Sequence, residues 1–426
     1  MFEFSKSQIN QLEKRGISVA NARAMIANIS QQNTYCNIHR PAALGDGIIE
    51  FSTTDLQYYA KLYSDTASNF QVARFIPASG MATRMFSFLS PLVLEDRQAF
   101  VKALEAHQDS PKVKQFLEGY RYFSFYESMK EQIEREYKTT SDSIDFLQAF
   151  IQAVVKQYAN QPKAFVPFHK YGENSRTAIE EQLMYAVQFA LVNNRIAHHF
   201  TISPGLEEAF DQHVKEACLA LERTHACTTD IDYSVQEAST DSLVIDADGQ
   251  LVTDDQGQLV FRAGGHGALL QNLNNIDADL VFINNIDNVS PQAQHEESGM
   301  YKRVLGGYLL HIQQEVFRLL RTIDEEGVLE EAIHFLDQQF HVHIQEDDIA
   351  LRKQKVIDRL NRPLRICGMV PNSGDPGGGP FWVEDEMGVR LQIVERAQVD
   401  LHQPSQAAHF QQGTHFNPVE LVCSLV

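Results

Sequence analysis

The chain has 426 residues, 36 of them basic and 56 acidic, giving a formal charge of −20. Hydrophobic side chains make up 43% and charged ones 22%, enough apolar material for a sizeable core, which excludes a largely disordered polymer. The charge excludes generic electrostatic binding to nucleic acid or to anionic lipid, since both are polyanions; a phosphorylated small molecule could still bind through a local cationic site or a metal.

At roughly 150 residues per domain, the length fits two or three domains or one domain with insertions. Cys36, Cys218, Cys227, Cys367 and Cys423 are scattered without a C-x-x-C pair. That predicts a reduced, cytoplasmic chain rather than a disulfide framework. Met1 to Lys6 lacks the basic start and apolar run of a signal peptide. No stretch approaches the roughly 20 apolar residues of a membrane span, so neither membrane nor nucleic acid is an expected partner.

Residues 1–70 read as helices, from good helix formers at helical spacing around Ile9, Leu12, Ala22 and Ile26. Val72-Ala73-Arg74-Phe75-Ile76-Pro77 is a buried strand ending in the small-residue turn Ala78-Ser79-Gly80. From about 91 to 160 the composition turns to Lys, Glu, Gln and aromatics at helical spacing, the mark of a helical insertion. Strands are expected at 164–168, 196–202, 233–235 and 280–283. Between them lies an amphipathic helix over 177–192, with Ile179, Leu183, Ala186, Val187 and Ala190 on one face. This alternation predicts an α/β fold with a mixed, mostly parallel sheet covered by helices on both faces. Asp246–Gln250 and Asp254–Gln258 read as two hairpin turns. A further helical stretch runs over 301–360, and 365–426 is β-rich around a glycine-dense loop.

Five stretches could carry chemistry, each with a plainer alternative. In Phe75 to Met85, backbone N–H groups of Ala78, Ser79 and Gly80, followed by Thr83 and Arg84, could cradle phosphate oxygens; an ordinary βα turn with an exposed arginine reads better from this stretch alone. Pro162 fixes the backbone before Lys163, which suits a phosphate-binding point charge or an ordinary solvated lysine. The Gly264-Gly265-His266-Gly267 loop lets a ligand approach the backbone closely, or is a flexible turn. Strand 280–283 runs into Asn284-Asn285-Ile286-Asp287-Asn288, where Asp287 could hold Mg²⁺ beside substrate phosphates or merely cap a loop. Last, Gly377-Gly378-Gly379 precedes the strand Arg390 to Glu395. Period two puts Glu395 beside Leu391 and Ile393, on an apolar face where a carboxylate needs a partner. His341 and His343 could share a metal, but no third ligand lies near them in sequence, so zinc is set aside.

The order of these pieces resembles the UDP-sugar pyrophosphorylase (sugar-1-phosphate uridylyltransferase) superfamily. More closely it resembles a bacterial nucleotidyltransferase-like family of unknown function placed near it. The resemblance covers about 71–90 and 161–426, a nucleotidyltransferase-like core. Residues 1–70 (N-terminal helices) and 91–160 (the insertion) lie outside it.

The resemblance implies a GT-A-like Rossmann fold and a role for each matching position. Ala78 to Met85 matches the nucleotide-binding loop, with Ser79 and Ala82 where relatives carry glycine. Lys163 matches a lysine that neutralises triphosphate charge, and Gln236 a base-reading residue. Gly265, His266 and Gly267 match a loop at base and ribose, with Ala268 where the family has aspartate. Asp287 matches the metal-binding aspartate, and Arg390 a phosphate-contacting lysine. Gly378, Gly379, Glu395 and Asn417 match the region around the sugar.

The implied activity is Mg²⁺-dependent coupling of a nucleoside triphosphate, expected to be UTP, to a sugar-1-phosphate with release of pyrophosphate. Such transfer is mostly positioning and charge stabilisation. Two alternatives stay open. One is a sugar-nucleotide binding protein without catalysis, which the residues at 79, 82 and 268 would favour; the other is a glycosyltransferase in which Asn285-x-Asp287 holds the metal.

Overall fold

The structure, a computed structural model, describes residues 3–31, 35–246, 248–374, 377–385 and 388–425. The chain divides into two compact units. The first comprises Met1–Phe75, Val235–Asn284 and Met300–Val426; the second comprises Ile76–Ser234 and Asn285–Gly299. The protein is a mixed α/β protein whose largest sheet has six strands and is mostly parallel.

In the first unit, neighbouring strands of that sheet are Leu364–Cys367, Leu421–Ser424, Leu280–Ile283 and Val72–Pro77. Leu421–Ser424 runs antiparallel to both of its neighbours, whereas Leu280–Ile283 and Val72–Pro77 are parallel, with Ile283 opposite Phe75. The parallel neighbours Val72–Pro77 and Leu280–Ile283 are buried on both faces, through Ala73, Phe75, Val281 and Phe282 together with the fully buried Arg74, whereas Leu421–Ser424 alternates, with Val422 and Ser424 buried.

Residues 1–70, expected to be helical, do form the helices Lys6–Lys14, Val19–Gln31 and Thr53–Thr66. Ser5 and Ser52 cap two of them, each in a reciprocal box with the residue three positions on, Gln8 and Asp55. The same region also holds the short strands Ile38–Pro41, Ala43–Leu44 and Gly47–Ile48, which the reading missed. Ile38–Pro41 exists because it pairs with Gly379–Asp385, more than 300 positions away, and local propensity cannot report that.

The two expected turns are present. Asp246 Oδ1 accepts from the N–H groups of Asp248 and Gln250, and Asp254 Oδ1 from those of Gln256 and Gln258. Gly249 and Gly257 take the positive φ each turn requires; Ala247 lies outside the described residues. The hairpins pack through Leu243 and Leu259 against Leu12, Ile17, Ala22 and Ile26.

In the second unit the insertion forms the helices Arg97–His107, Pro111–Gly119, Tyr126–Tyr137 and Ile144–Val154 around a core rich in Phe and Tyr. Ala82, Phe86 and Leu89 join that core, so the residues that follow the Ala78–Gly80 turn are anchored on the insertion. A second core joins Ile76, Ile179, Leu183, Phe200, Phe210 and Ile286. The strand expected at 164–168 begins later. Lys163–Phe165 is one 3₁₀ turn and the strand is Pro167–Tyr171, because Pro162 sets an extended entry and the N–H groups of Phe165 and Val166 bond back to Pro162 and Lys163. Among the described residues no helix is long and apolar enough to cross a membrane.

Candidate functional site

Parallel neighbours in register end at the same edge of a sheet. Since Phe75 stands opposite Ile283, the turn after Pro77 and the loop after Ile283 emerge side by side, where open α/β sheets place their ligands. The sequence motifs at 78–84 and 284–288 are those two connections.

The first connection is a tight turn with a built frame. The N–H of Ala78 donates to Thr201 O at 2.8 Å and that of Ala82 to Gln161 O at 2.9 Å; Ala78 and Ala82 are fully buried. The N–H of Lys163 donates to Gly80 O at 2.9 Å, so Met81 and Pro162 face each other as a β-bridge. The helix Ile144–Val154 leads into a single π-turn, Val155–Ala159, which leaves the Ala159 carbonyl to accept Thr83 Oγ1 at 2.9 Å. Between these fixed points the N–H groups of Ser79, Gly80 and Met81 meet no protein acceptor among the described residues. A Cβ on Gly80 would meet nothing within 4 Å. Arg84 is exposed on the one-turn helix Thr83–Phe86, with no acidic partner among the described residues. The N–H groups of Ala78 and Ala82 are thus committed to the frame, while those of Ser79 and Gly80 are not engaged by backbone acceptors among the described residues.

Lys163 and Asp287 come together. Nζ of Lys163 lies 2.5 Å from Asp287 Oδ2, and the side chains are 25% and 30% exposed. The ion pair faces solvent enough to be exchanged and is buried enough to be directional. The loop that carries Asp287 is held from below by a residue the sequence reading overlooked. Gln182, fully buried on the helix Ala178–Ala186, donates from Nε2 to the carbonyls of Asn285 (3.0 Å), Ile286 (3.3 Å) and Asn288 (3.1 Å). The signal was present in the sequence: Gln182 interrupts the apolar stripe Ile179, Leu183, Ala186, and a polar residue at a core position needs a partner.

Next to it Glu181, also fully buried, accepts from Tyr171 Oη at 2.6 Å. Its carboxylate lies 3.1 Å from His169 Nδ1, 3.6 Å from His295 Nε2 and 3.7 Å from Arg176 Nη1. Burial, the largest cause, lowers the His295 pKa below its ordinary value; the Ser290 carbonyl and Glu181 oppose the shift.

In the first unit the other predicted residues form two groups. Gln236 follows the strand Thr228–Val235, and its Nε2 is buried without a partner among the described residues. Gly264 passes close to it: a Cβ there would sit 3.6 Å from Gln236 Nε2, 2.9 Å from Thr240 O and 2.8 Å from Ala268 Cβ, so only glycine fits. Gly265 and Gly267 have open space around the same position. His266 opens the 3₁₀ turn His266–Leu269, which leads into the helix Leu270–Asn274; Asn272 ties that helix to Val235 O at 2.9 Å.

The last group is mostly committed to its own packing. Gly378 lies against Ile393 and Glu395, and Gly379 against Phe381 and His415 O, so the density of glycine there is explained by close chain approach. Asp375 and Pro376, within that loop, lie outside the described residues. Asn417, buried, donates to Gly368 O (2.6 Å) and Glu420 O (3.2 Å), accepts from the N–H of Val419, and bridges to Gly378.

Glu395 departs from expectation. The strand ends at Val394, and Glu395 is exposed and caps the 3₁₀ turn Arg396–Gln398 in a reciprocal box with Gln398. Nor does the hairpin have one apolar face: Val394 packs with Ile38 and Phe381, while Leu391 packs with Trp382 and Ile48. Arg390 is exposed, pairs with Asp385, and stands about 13 Å along the strand from Val394.

A family model described as Domain of unknown function (DUF4301) matches residues 5–426. The chain belongs to the DUF4301 family. This agrees with the resemblance to a family of unknown function drawn from the motif order. Comparison with curated proteins gives no match. Several solved structures are similar to the DUF4301 chain at low identity. The uridine diphosphate N-acetylglucosamine pyrophosphorylase of Trypanosoma brucei, solved with an inhibitor, is 12% identical with a TM-score of 0.47, over 99% of this chain and 62% of that one. A UDP-glucose phosphorylase from Trypanosoma brucei is 10% identical with a TM-score of 0.42, over 98% and 61%. A mutant UDP-glucose pyrophosphorylase of Leishmania major, in complex with UDP-glucose, is 11% identical with a TM-score of 0.39, over 99% and 64%. The DUF4301 chain thus spans less than two thirds of the length of each.

Proposed function

We propose that this protein is a nucleotidyltransferase that couples a nucleoside triphosphate, UTP in the first instance, to a sugar-1-phosphate. The observation that carries the reading is the Lys163–Asp287 pair in the second unit, with the backbone of Lys163 bonded to Gly80 in the Ala78–Gly80 turn; the Ser79–Met81 N–H groups and Arg84 are assigned to the same site as part of the proposal. These are the parts that phosphoryl chemistry needs: fixed N–H donors and cations for oxygens that gain charge, and a carboxylate for a metal. Lys163 and Arg84 would offset phosphate charge, and the three N–H groups would orient the phosphate chain for in-line attack by the sugar phosphate oxygen.

The residues fit Mg²⁺ in its usual manner, with one carboxylate and substrate phosphates rather than a full protein cage. Asp287 is partly exposed, and among the described residues its charge is balanced by an exchangeable ammonium. Mg²⁺, when bound, supplies charge neutralisation across the phosphates. In the first unit, taken by itself, the buried Gln236 amide beside Gly264, unpartnered among the described residues, is a group that the edge of a base would satisfy.

Incubation with Mg²⁺, UTP and a panel of sugar-1-phosphates should release pyrophosphate and form a nucleotide sugar. No release across all nucleotides and sugars would reject the reading. A second reading, binding of a sugar nucleotide without turnover, is favoured by the commitment of the Ala78 and Ala82 N–H groups to Thr201 and Gln161. Calorimetry with UDP-sugars in the absence of turnover would select it.

A further inference from the structure

We infer that Gln182 is a positioning residue that sets Asp287 opposite Lys163. The inference rests on the reading of Asp287 as the carboxylate that holds a metal at the proposed site. One side-chain amide faces three main-chain carbonyls, those of residues 285, 286 and 288, which bracket Asp287. An NH₂ group has two hydrogens, so at least one is shared, and the three peptide planes must all turn toward a single point. Ile286 is buried between these planes in the core that holds Ile179 and Leu183. With Ile286 pointing inward and the flanking carbonyls tied to Gln182, the next side chain, that of Asp287, is directed outward to Lys163.

The neighbour of Gln182 secures the other end of the same segment. Glu181 accepts from Tyr171 Oη, and Tyr171 Oη in turn accepts from the N–H of Gln292 at 2.9 Å; the carboxylate also lies 3.6 Å from His295. In a helix whose start is fixed by the Thr177–Glu180 box, Gln182 thus holds residues 285–288 directly, while Glu181 reaches Gln292 only through Tyr171. Burying two polar side chains in a helix is costly unless each is satisfied. The amide of Gln182 is spent on the carbonyls of one loop, and that loop contains a proposed metal-holding residue. Gln182 touches no substrate in this scheme; it acts through Asp287.

The test compares Gln182→Met, Gln182→Asn and Asp287→Asn with the wild-type chain in two assays. The first needs no catalytic activity: the rate at which an amine-reactive reagent labels Lys163, read by mass spectrometry, with exposed Lys170 as the internal control. Asp287→Asn should speed labelling of Lys163 by about fivefold, the factor expected for release from a partly exposed ion pair. Gln182→Met should approach that value while Lys170 stays unchanged, and Gln182→Asn should fall between. If Gln182→Met does not fold, Gln182→Asn carries the comparison.

The second assay is turnover, in which Gln182→Met should lower kcat by about tenfold with little change in KM for the sugar phosphate, as loss of an aligned group does. Lys163 labelling that stays at the wild-type rate in a folded Gln182 variant overturns the inference, as does a rate indifferent to Asp287→Asn. A wild-type chain with no turnover rejects the proposed function, and the labelling assay still decides the role of Gln182.

Discussion

The ammonium of Lys163 and the carboxylate of Asp287, 124 positions apart, meet at 2.5 Å at the edge of the sheet. Neither is bound to the other by sequence proximity. Lys163 arrives through the Met81–Pro162 bridge, and Asp287 through the strand Leu280–Ile283 lying parallel to Val72–Pro77.

That pair gives the sharpest prediction. Lys163→Met and Asp287→Asn should each cut turnover by about 10²–10³, the usual cost of removing one charge contact to a reacting phosphate. Each should cost no more than about 1 kcal/mol of stability, because a partly exposed pair is screened by solvent. Pyrophosphate release and urea unfolding measure the two effects. Loss of activity matched by an equal loss of stability would mark the pair as structural.

Chelation should act at the same place. EDTA should abolish pyrophosphate release and added Mg²⁺ should restore it, with the restoration weakened in Asp287→Asn. Rates measured across a Mg²⁺ titration check this.

The glycines sort into two kinds. Gly80→Ala and Gly265→Ala place a methyl in open space, so both should keep the wild-type melting temperature and weaken nucleotide binding by calorimetry. Gly378→Ala drives a methyl into Ile393 and should destabilise by about 1–3 kcal/mol whatever is bound.

Asn417 and Glu395 should behave as structural residues before any other role. Asn417→Ala removes a donor to two carbonyls and an acceptor for the Val419 N–H, and should cost about 2–3 kcal/mol in thermal unfolding. Glu395→Ala loses one exposed cap, worth about 0.5–1 kcal/mol. A sugar-binding role for Glu395 would add a rise in KM for the sugar phosphate beyond this small stability loss.

The second unit should weaken in acid. Burial is the largest cause lowering the pKa values of His199, His213 and His295 below the ordinary 6.5, although Asp232, Glu180 and Glu181 respectively oppose it. Below about pH 6.5 the unfolded chain therefore binds more protons than the folded one, so stability is complete above that pH and falls as the pH drops. Melting temperatures from pH 8 to pH 5 should show the fall, with a shallower slope in His213→Gln. A flat profile would contradict the assignment.

Local chemistry was legible in the residues themselves. The Asp246 and Asp254 turns and the Ser5 and Ser52 caps follow from short-range rules in which a side chain meets a backbone two to four positions away, and the strands at 72–77 and 280–283 from short apolar runs. The pieces of the candidate site could be named for the same reason. That Lys163 meets Asp287 could not be derived from spacing, because it depends on which strands lie side by side. Residues 38–41 became a strand only through a distant partner, and Glu395 left its expected face because the strand stopped one residue short. Gln182 was visible as a polar break in an apolar stripe, but only the packed structure shows that its amide is satisfied by the carbonyls around Asp287. A buried polar group declares in sequence that it needs a partner, and tertiary packing alone decides which one it finds.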